Sequence, residues 1–301
     1  MIVVVGESLV DVVIDVDGDT TEAVGGSPLN VAVGLARLDV PTILITQAGT
    51  DERGGRIVNH VSASGAEIIA SPGPNSTATA RLDRLGGATY DFDIEWSLPH
   101  QELPACDALH LGSLGALIEP GRNSVLDLFD QAYARGVFIS YDPNIREPFL
   151  DDRTEAWRQV ELIADRSTLV KLSDQDVELL QPGADLEDIA RSLLAGERTE
   201  LVVITRGADG ATAYVTDGSV SVEAPEIVVV DTVGAGDAFM AATLAILFES
   251  DAMGEFGAGV PTDEADLRRL LQGAVEVAAL TCLRRGADSP LRSDLPNEWP
   301  D

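Results

Sequence analysis

Ile227-Val228-Val229-Val230-Asp231-Thr232-Val233-Gly234-Ala235-Gly236-Asp237-Ala238-Phe239 is the stretch on which the reading of this chain turns. Ile227–Val230, four β-branched residues, predicts a strand, and the small apolar run Met240–Phe248 predicts a helix. Two glycines at a strand-to-helix junction let the backbone turn tightly and aim its N–H groups outward. The helix N-terminus adds unpaired donors and the positive end of the macrodipole, so the turn suits a phosphate or a transferring phosphoryl group. A carboxylate in that turn would repel a phosphate if binding were its only task. Asp237 therefore reads as a base that accepts a hydroxyl proton during attack on phosphorus. The alternative is a glycine turn in which Asp237 merely caps the helix. A dinucleotide fingerprint fails, since Phe239 stands where a third glycine belongs, and no Gly-Lys-Ser/Thr follows to make a Walker loop.

Outward from this loop, short β-branched runs alternate with helical patterns. The predicted strands are Ile2–Val5, Thr42–Thr46, Ala108–Leu111, Val137–Tyr141, Thr168–Leu172, Leu201–Thr205 and Ile227–Val230. Helical patterns occupy Leu29–Leu38, Arg53–Ser64, Arg122–Arg135, Thr154–Ile163, Leu186–Leu194 and Ala274–Leu283. Such alternation predicts an α/β fold with a doubly wound, mostly parallel sheet, in which ligands sit beyond the carboxyl ends of the strands. Asp11–Asp17 and Thr77–Trp96 instead alternate apolar and polar residues with period two, the second around the turn Gly86-Gly87. They predict a small separate β-sheet, formed by segments at about residues 11–24 and 77–97 of a single domain spanning residues 1–301, and placed to act as a lid. A surface hairpin without function is the alternative. No internal repeat is present, and the tail Asp288–Asp301 reads as irregular.

Apolar residues make up 45% of the 301 residues, enough for a substantial core. No stretch reaches the ~18 uncharged apolar residues of a membrane span. Met1–Glu7 lacks a basic start and reads as a first strand instead of a signal peptide, which makes the cytoplasm the expected location. Cys106 and Cys282 read as reduced thiols, and His60, His100 and His110 form no zinc-ligand pattern. The net charge of −31 excludes nucleic acid and anionic membranes as favoured partners. Adaptation to salt or a GC-rich genome accounts for the bias; an acidic docking face is the alternative. Lys171 is the sole lysine, so positive potential has to be concentrated locally wherever a polyphosphate binds.

Three further blocks lie at strand ends. In Gly25-Gly26-Ser27-Pro28-Leu29-Asn30, Ser27 reads as an N-cap and Pro28 as the first helical residue, with Asn30 facing the cleft as donor and acceptor. Asp142-Pro143-Asn144-Ile145-Arg146 lies just past a predicted strand, at the carboxyl edge where ligands sit, and is also what an ordinary turn looks like. Lys171-Leu172-Ser173-Asp174-Gln175-Asp176 is either a helix-capping run or a ligand site.

Asp231–Phe239 resembles the C-terminal signature of the ribokinase-like (PfkB) carbohydrate kinases. Gly25–Ala32 and Gly6-Glu7-Ser8-Leu9-Val10-Asp11 are similar to its N-terminal signature and opening motif, so the matches run from about residue 2 to residue 290. The resemblance implies a ribokinase-like fold with a β-lid and ATP-dependent phosphorylation of a sugar, with Mg²⁺ and, in many relatives, K⁺. It makes Asp237 the catalytic base and Gly234, Ala235 and Gly236 the anion hole, with Asp11, Gly26 and Asn30 on the sugar. Lys171, Ser173, Thr205, Gly207, Gly210 and Arg146 fall to ATP. Asp176 and Asp142 fall to Mg²⁺, and Asp231 and Val233 to K⁺. Where the family usually has Asn-x-x-Glu, this chain has Ser173 and Asp176, so that pattern is kept only in outline. Ala274–Leu283 and Arg284-Arg285-Gly286-Ala287 are implied as a wall of the adenine pocket. Thr79–Asp83, Gly87–Phe92, His110–Ser113 and Ala279–Cys282 are similar to bacterial fructokinases, which puts fructose ahead of 2-keto-3-deoxygluconate or ribose. A non-catalytic sugar- or nucleotide-binding regulator is the reading from another class, and it has no use for Asp237. The assemblies implied are a monomer or a lid-mediated homodimer.

Overall fold

Every residue of Ile2–Val5 (β1) is fully buried, as expected of a strand covered on both faces. Successive side chains of a strand point to opposite sides, and β1 shows it: Ile2 and Val4 join one core, Val3 and Val5 another. Two apolar cores on one sheet require helices on both faces. The computed structural model describes residues 1–82, 88–253 and 259–300, so Gly86-Gly87 lies outside the described residues.

In chain order the elements after β1 are β2 (Leu9–Ile14), β3 (Thr20–Gly25), α1 (Ser27–Arg37), β4 (Thr42–Ala48), α2 (Glu52–Ser64), β5 (Glu67–Pro72), β6 (Ser76–Leu82), β7 (Ala88–Asp93), β8 (Ala108–Gly112), α3 (Gly121–Ala134), β9 (Phe138–Asp142), α4 (Arg153–Ala164), β10 (Leu169–Ser173), α5 (Asp174–Leu180), α6 (Leu186–Leu194), β11 (Leu201–Thr205), β12 (Ala211–Val215), β13 (Gly218–Val222), α7 (Ala235–Glu249) and α8 (Glu264–Cys282). The large sheet has the order β13-β12-β11-β10-β9-β8-β1-β4-β5. Strands β5 to β11 in that order run parallel, and β12 and β13 add an antiparallel edge. The order reverses direction between β1 and β8, which opens a crevice at their carboxyl ends.

The small sheet has the order β3-β2-β6-β7, two antiparallel hairpins joined by the parallel pair β2–β6. Its edges touch the large body on both sides. Glu22 of β3 accepts from Arg56 Nη1 (2.8 Å) and Arg53 Nε (3.1 Å) of α2, and Phe92 of β7 meets Phe149 edge-on at 5.4 Å.

Two sequence expectations are corrected. Ile227–Val230 is not a strand: the segment forms no regular element and lies on the surface, with Val228 87% exposed, and the N–H of Val230 donates to the carbonyl of Cys282 (2.9 Å). The place beside β11 that such a strand needs is taken by the hairpin β12–β13, whose short strands between glycine turns the pattern did not resolve. The N-cap of α1 is Gly26 (φ 111°), and Ser27 is its first helical residue with its hydroxyl directed elsewhere.

Candidate active site

Helices α1 and α7 lie side by side, because Gly34 lets them approach until an added Cβ would stand 2.7 Å from Ala241 Cβ. Their N-termini therefore meet. Asp237, in the first turn of α7, is 8% exposed; its Oδ1 accepts from Ser27 Oγ (2.7 Å) and its Oδ2 from Asn30 Nδ2 (2.8 Å). Both partners donate to the carboxylate, which orients it and leaves its outer lone pairs for a further donor.

Gly234 forms the N-cap of α7 at φ 77°, and a Cβ there would stand 2.5 Å from Ala287 Cβ, so only glycine suits both conformation and space. The Ala235 N–H donates to the carbonyl of Thr232 (3.2 Å) and the Ala238 N–H to that of Gly234 (2.8 Å). Between them, the amides of Gly236 and Asp237 meet no acceptor among the described residues. The uncommitted amides of the turn are thus two, and the Ala235 N–H closes the turn itself. Asp231 braces the approach: its Oδ1 accepts from the Val233 N–H (3.1 Å) and its Oδ2 from the Gly286 N–H (2.9 Å).

Lys171 projects from β10 beneath this turn, with Nζ 3.7 Å from where a Cβ on Gly236 would stand. It is buried (4% exposed) and donates to Asp142 Oδ2 (2.7 Å), itself 2% exposed. Burial pushes Asp142 up to about 6, against the pull of Lys171. The ammonium is held above its usual range, because Asp142, Asp176 and Asp237 together outweigh its own desolvation. The pair is therefore ionised at neutral pH. The neighbouring His110 is pushed down to about 3 by burial and Lys171, and its neutral ring shares a hydrogen bond with Ser140 Oγ (2.9 Å).

Asp176 is buried and committed: Oδ1 accepts from the Ile145 N–H (2.7 Å), Oδ2 from Ser173 N–H (2.8 Å) and Oγ (2.7 Å), closing a capping box on α5. Arg146, on the same loop as Ile145, is exposed and donates to Asn144 Oδ1 (2.7 Å). Asp11, from β2, stands in the field of Arg146 and Asp237; burial pushes it up to about 6. Gly26 lies against the β1–β2 connection, where its Cβ would stand 2.8 Å from Glu7 O. Asp11, Gly26, Asn30, Asp142, Lys171, Asp176 and Asp237 thus converge at the crevice. Thr205 pairs with Ser173 at the strand ends. Gly207 and Gly210 form the turn into β12, and a Cβ on Gly210 would stand 2.0 Å from Val222 O. Beyond Asp231, an apolar groove of about 440 Å³ runs between the 223–227 segment and α8, lined by Val275, Ala279, Leu280 and Leu283 among others. The sequence expectation of an adenine wall falls on this helix.

Sequence reasoning missed Glu7. Its carboxyl is fully buried, accepts from the Gly115 N–H (2.6 Å), and is pushed by that burial up to about 7. It missed the Ser27–Asp237 bond as well, since no local pattern reports a partner 210 residues away. The raised Glu7 carries a prediction. The unfolded carboxyl titrates near 4.5 and the folded one near 7, so the stability it contributes is complete below 4.5 and is lost as pH rises through 7. Glu7→Gln keeps an acceptor for Gly115 and removes that loss. We expect it to stabilise the protein by about 3 kcal/mol at about pH 8 and by under about 1 kcal/mol at about pH 5, read from urea unfolding. A gain equal at both pH values would refute the assignment.

No helix of the described residues is long and apolar enough to cross a membrane. The model of the pfkB family of carbohydrate kinases matches residues 1–294. A fructokinase of Rhizobium leguminosarum bv. trifolii is 34% identical over 265 residues, covering 82% of this chain and 79% of that protein. A fructokinase of Salmonella typhimurium is 28% identical, covering 98% of both. In fold the chain is similar to the fructokinase of Xylella fastidiosa solved with bound ATP (TM-score 0.82, 21% identity, 98% of this chain and 94% of that one). It is also similar to an uncharacterised sugar kinase of Pyrococcus horikoshii solved in complex with ATP (TM-score 0.79, 23% identity, 100% and 98%). The mixed sheet with its smaller companion is thus the ribokinase-like fold, and the chain belongs to the pfkB family of carbohydrate kinases, the ATP-dependent sugar kinases.

Proposed function

We propose that this kinase transfers the γ-phosphoryl group of ATP to a primary hydroxyl of fructose, with Asp237 as the general base. One observation carries the reading: the Asp237 carboxylate is fixed by Ser27 and Asn30 beside the two uncommitted amides of Gly236 and Asp237. The hydroxyl proton passes to Asp237 as the sugar oxygen bonds to the γ-phosphorus, and the bond to the bridging oxygen of ADP breaks. The two amides and the ammonium of Lys171 face the charge that develops on the transferring group. Asp11 and Asn30 orient the acceptor by hydrogen bonds to its hydroxyls, and the small sheet over them acts as a lid that excludes water. Fructose is favoured because curated relatives across the length of the chain are named fructokinases.

Magnesium, when bound, offsets the charge of the phosphates. The donor set fits it through water: Asp142 accepts from Lys171 and the Asn144 N–H (3.2 Å), Asp176 accepts three hydrogen bonds and keeps one Oδ1 lone pair, and Mg²⁺ commonly keeps several waters. Asp231 and the Val233 turn, tied to Gly286, would hold K⁺ behind the anion hole. Thr205 and Gly207 would border the nucleotide, with the groove along α8 taking the adenine.

ADP release by the purified protein over a panel of sugars, with and without K⁺, tests the reading. Fructose should support the fastest release, and silence on every sugar would overturn it. A finer probe is Gly236→Ala. The added methyl meets only Lys171 Nζ at 3.7 Å, and alanine suits a first helical turn, so the melting temperature should hold or rise. The methyl stands between the ammonium and the amides, and kcat should fall about tenfold to a hundredfold.

A further inference from the structure

The chain crosses between the large body and the small sheet four times: before β2, after β3, before β6 and after β7. Three of these crossings converge on one buried residue, two of them on its side chain. Gln47, near the end of β4, is 4% exposed. Its Nε2 donates to the carbonyls of Pro74 (2.7 Å), before β6, and Glu95 (2.9 Å), after β7. Its Oε1 accepts from the Ser97 N–H (2.9 Å), and the main-chain carbonyl of Gln47 accepts from Ser8 Oγ (2.6 Å), at the entry to β2. Gly73 is packed against the same side chain, where a Cβ would stand 2.5 Å from Gln47 Cδ. The amide has only one orientation that satisfies these partners, since a flip would set oxygen against two carbonyls and NH₂ against an N–H. The side-chain amide therefore fixes the roots of β6 and β7, while the main-chain carbonyl of the same residue holds the root of β2, the strand that pairs with β6 and sets Asp11 opposite Ala78. Asp11 lies three residues beyond Ser8.

We propose that Gln47 is a positioning residue for phosphoryl transfer: it sets the angle at which the small sheet presents Asp11 to the acceptor above Asp237. No part of Gln47 touches the reacting atoms. Its action runs through the roots of β6 and β7 and the pairing of β6 with β2, so it governs the acceptor side of the cleft and leaves the nucleotide side on β10, β11 and α8 unaffected. For its kinetic consequence the proposal rests on the sugar-kinase reading.

Gln47→Met preserves length and apolar packing while stripping the partners of Pro74, Glu95 and Ser97. For the full-length protein we expect KM for fructose to rise about tenfold or more, with KM for ATP within about twofold of the parent. Hydrogen exchange followed by mass spectrometry should show faster exchange in β2, β6 and β7 and unchanged exchange in β8–β11. A merely structural residue would lower the melting temperature without splitting the two KM values. Equal shifts in both constants, no shift in either, or parent-like exchange in the small sheet would overturn the proposal. If Gln47→Met does not fold, Gln47→Glu serves instead. It keeps the acceptor for Ser97 and regains a donor only when protonated, so its deficit in fructose KM relative to the parent should narrow as pH falls; a deficit constant with pH counts against the role. A parent protein that phosphorylates no sugar refutes the kinase reading, and the exchange arm then decides Gln47 by itself.

Discussion

Asp237→Asn is expected to lower kcat by about two to four decades while the affinity for fructose, read by calorimetry, stays within about threefold. The substitution is nearly isosteric, and its hydrogen bonds can be re-formed. The amide oxygen can accept from Asn30 Nδ2, and the new NH₂ can donate to Ser27 Oγ, because a hydroxyl accepts as readily as it donates. The fold and the acceptor contacts of Asp11 and Asn30 should therefore survive, and what disappears is the ability to take a proton. A variant that phosphorylates within about tenfold of the parent would remove Asp237 from the role of base. Asp237→Ala is a poorer probe, since it leaves Ser27 and Asn30 without their shared acceptor in a buried site.

Lys171→Met is expected to destabilise the protein by about 3–5 kcal/mol in urea unfolding, because it strands the Asp142 carboxylate at 2% exposure. Desolvation already holds Asp142 near 6 with its partner present, so without Lys171 the carboxyl should take up a proton near neutrality. Adding Asp142→Asn removes the stranded charge, and the double variant should recover most of the lost stability. Activity separates the two roles of the lysine. If the ammonium faces the transferring phosphoryl group past Gly236, the double variant is stable yet remains inactive on fructose. Recovery of phosphorylation along with stability would make the pair purely structural. The effect is large because Lys171 is the only lysine, and among the described residues its ammonium is the buried cation next to Gly236.

The layered fold was legible in the sequence because fully buried strands leave a continuous apolar record. Ile2–Val5 and Leu201–Thr205 lie where their patterns put them, and the helical runs Arg53–Ser64 and Leu186–Leu194 differ from α2 and α6 by a residue at most. The period-two segments also separated correctly, since strands with a wet face alternate. Ile227–Val230 misled for the same physical reason: β-branched runs report compatibility with an extended backbone, not burial or a hydrogen-bonded neighbour. In the structure those valines are exposed and outside any sheet, with the carbonyl of Cys282 accepting from Val230. The antiparallel edge was illegible because Ala211–Val215 and Gly218–Val222 are short and bounded by glycines, which a turn explains equally well.

At the Gly234–Asp237 loop, local chemistry alone specified a tight turn, helix-start amides and a carboxylate, since glycine conformations and helix termini are properties of a few adjacent residues. The matching glycine motif at Gly25-Gly26 added a second helix start without saying where it would lie. Only the tertiary structure brought Ser27 and Asn30 to Asp237 and set Lys171 under Gly236. It also tied the Ile145 N–H to Asp176 Oδ1, 31 residues along the chain. These are contacts across tens to hundreds of residues, and those of Ser27 and Asn30 depend on how closely α1 and α7 can pack. That approach is decided by Gly34 against Ala241, a pairing no stretch of sequence contains.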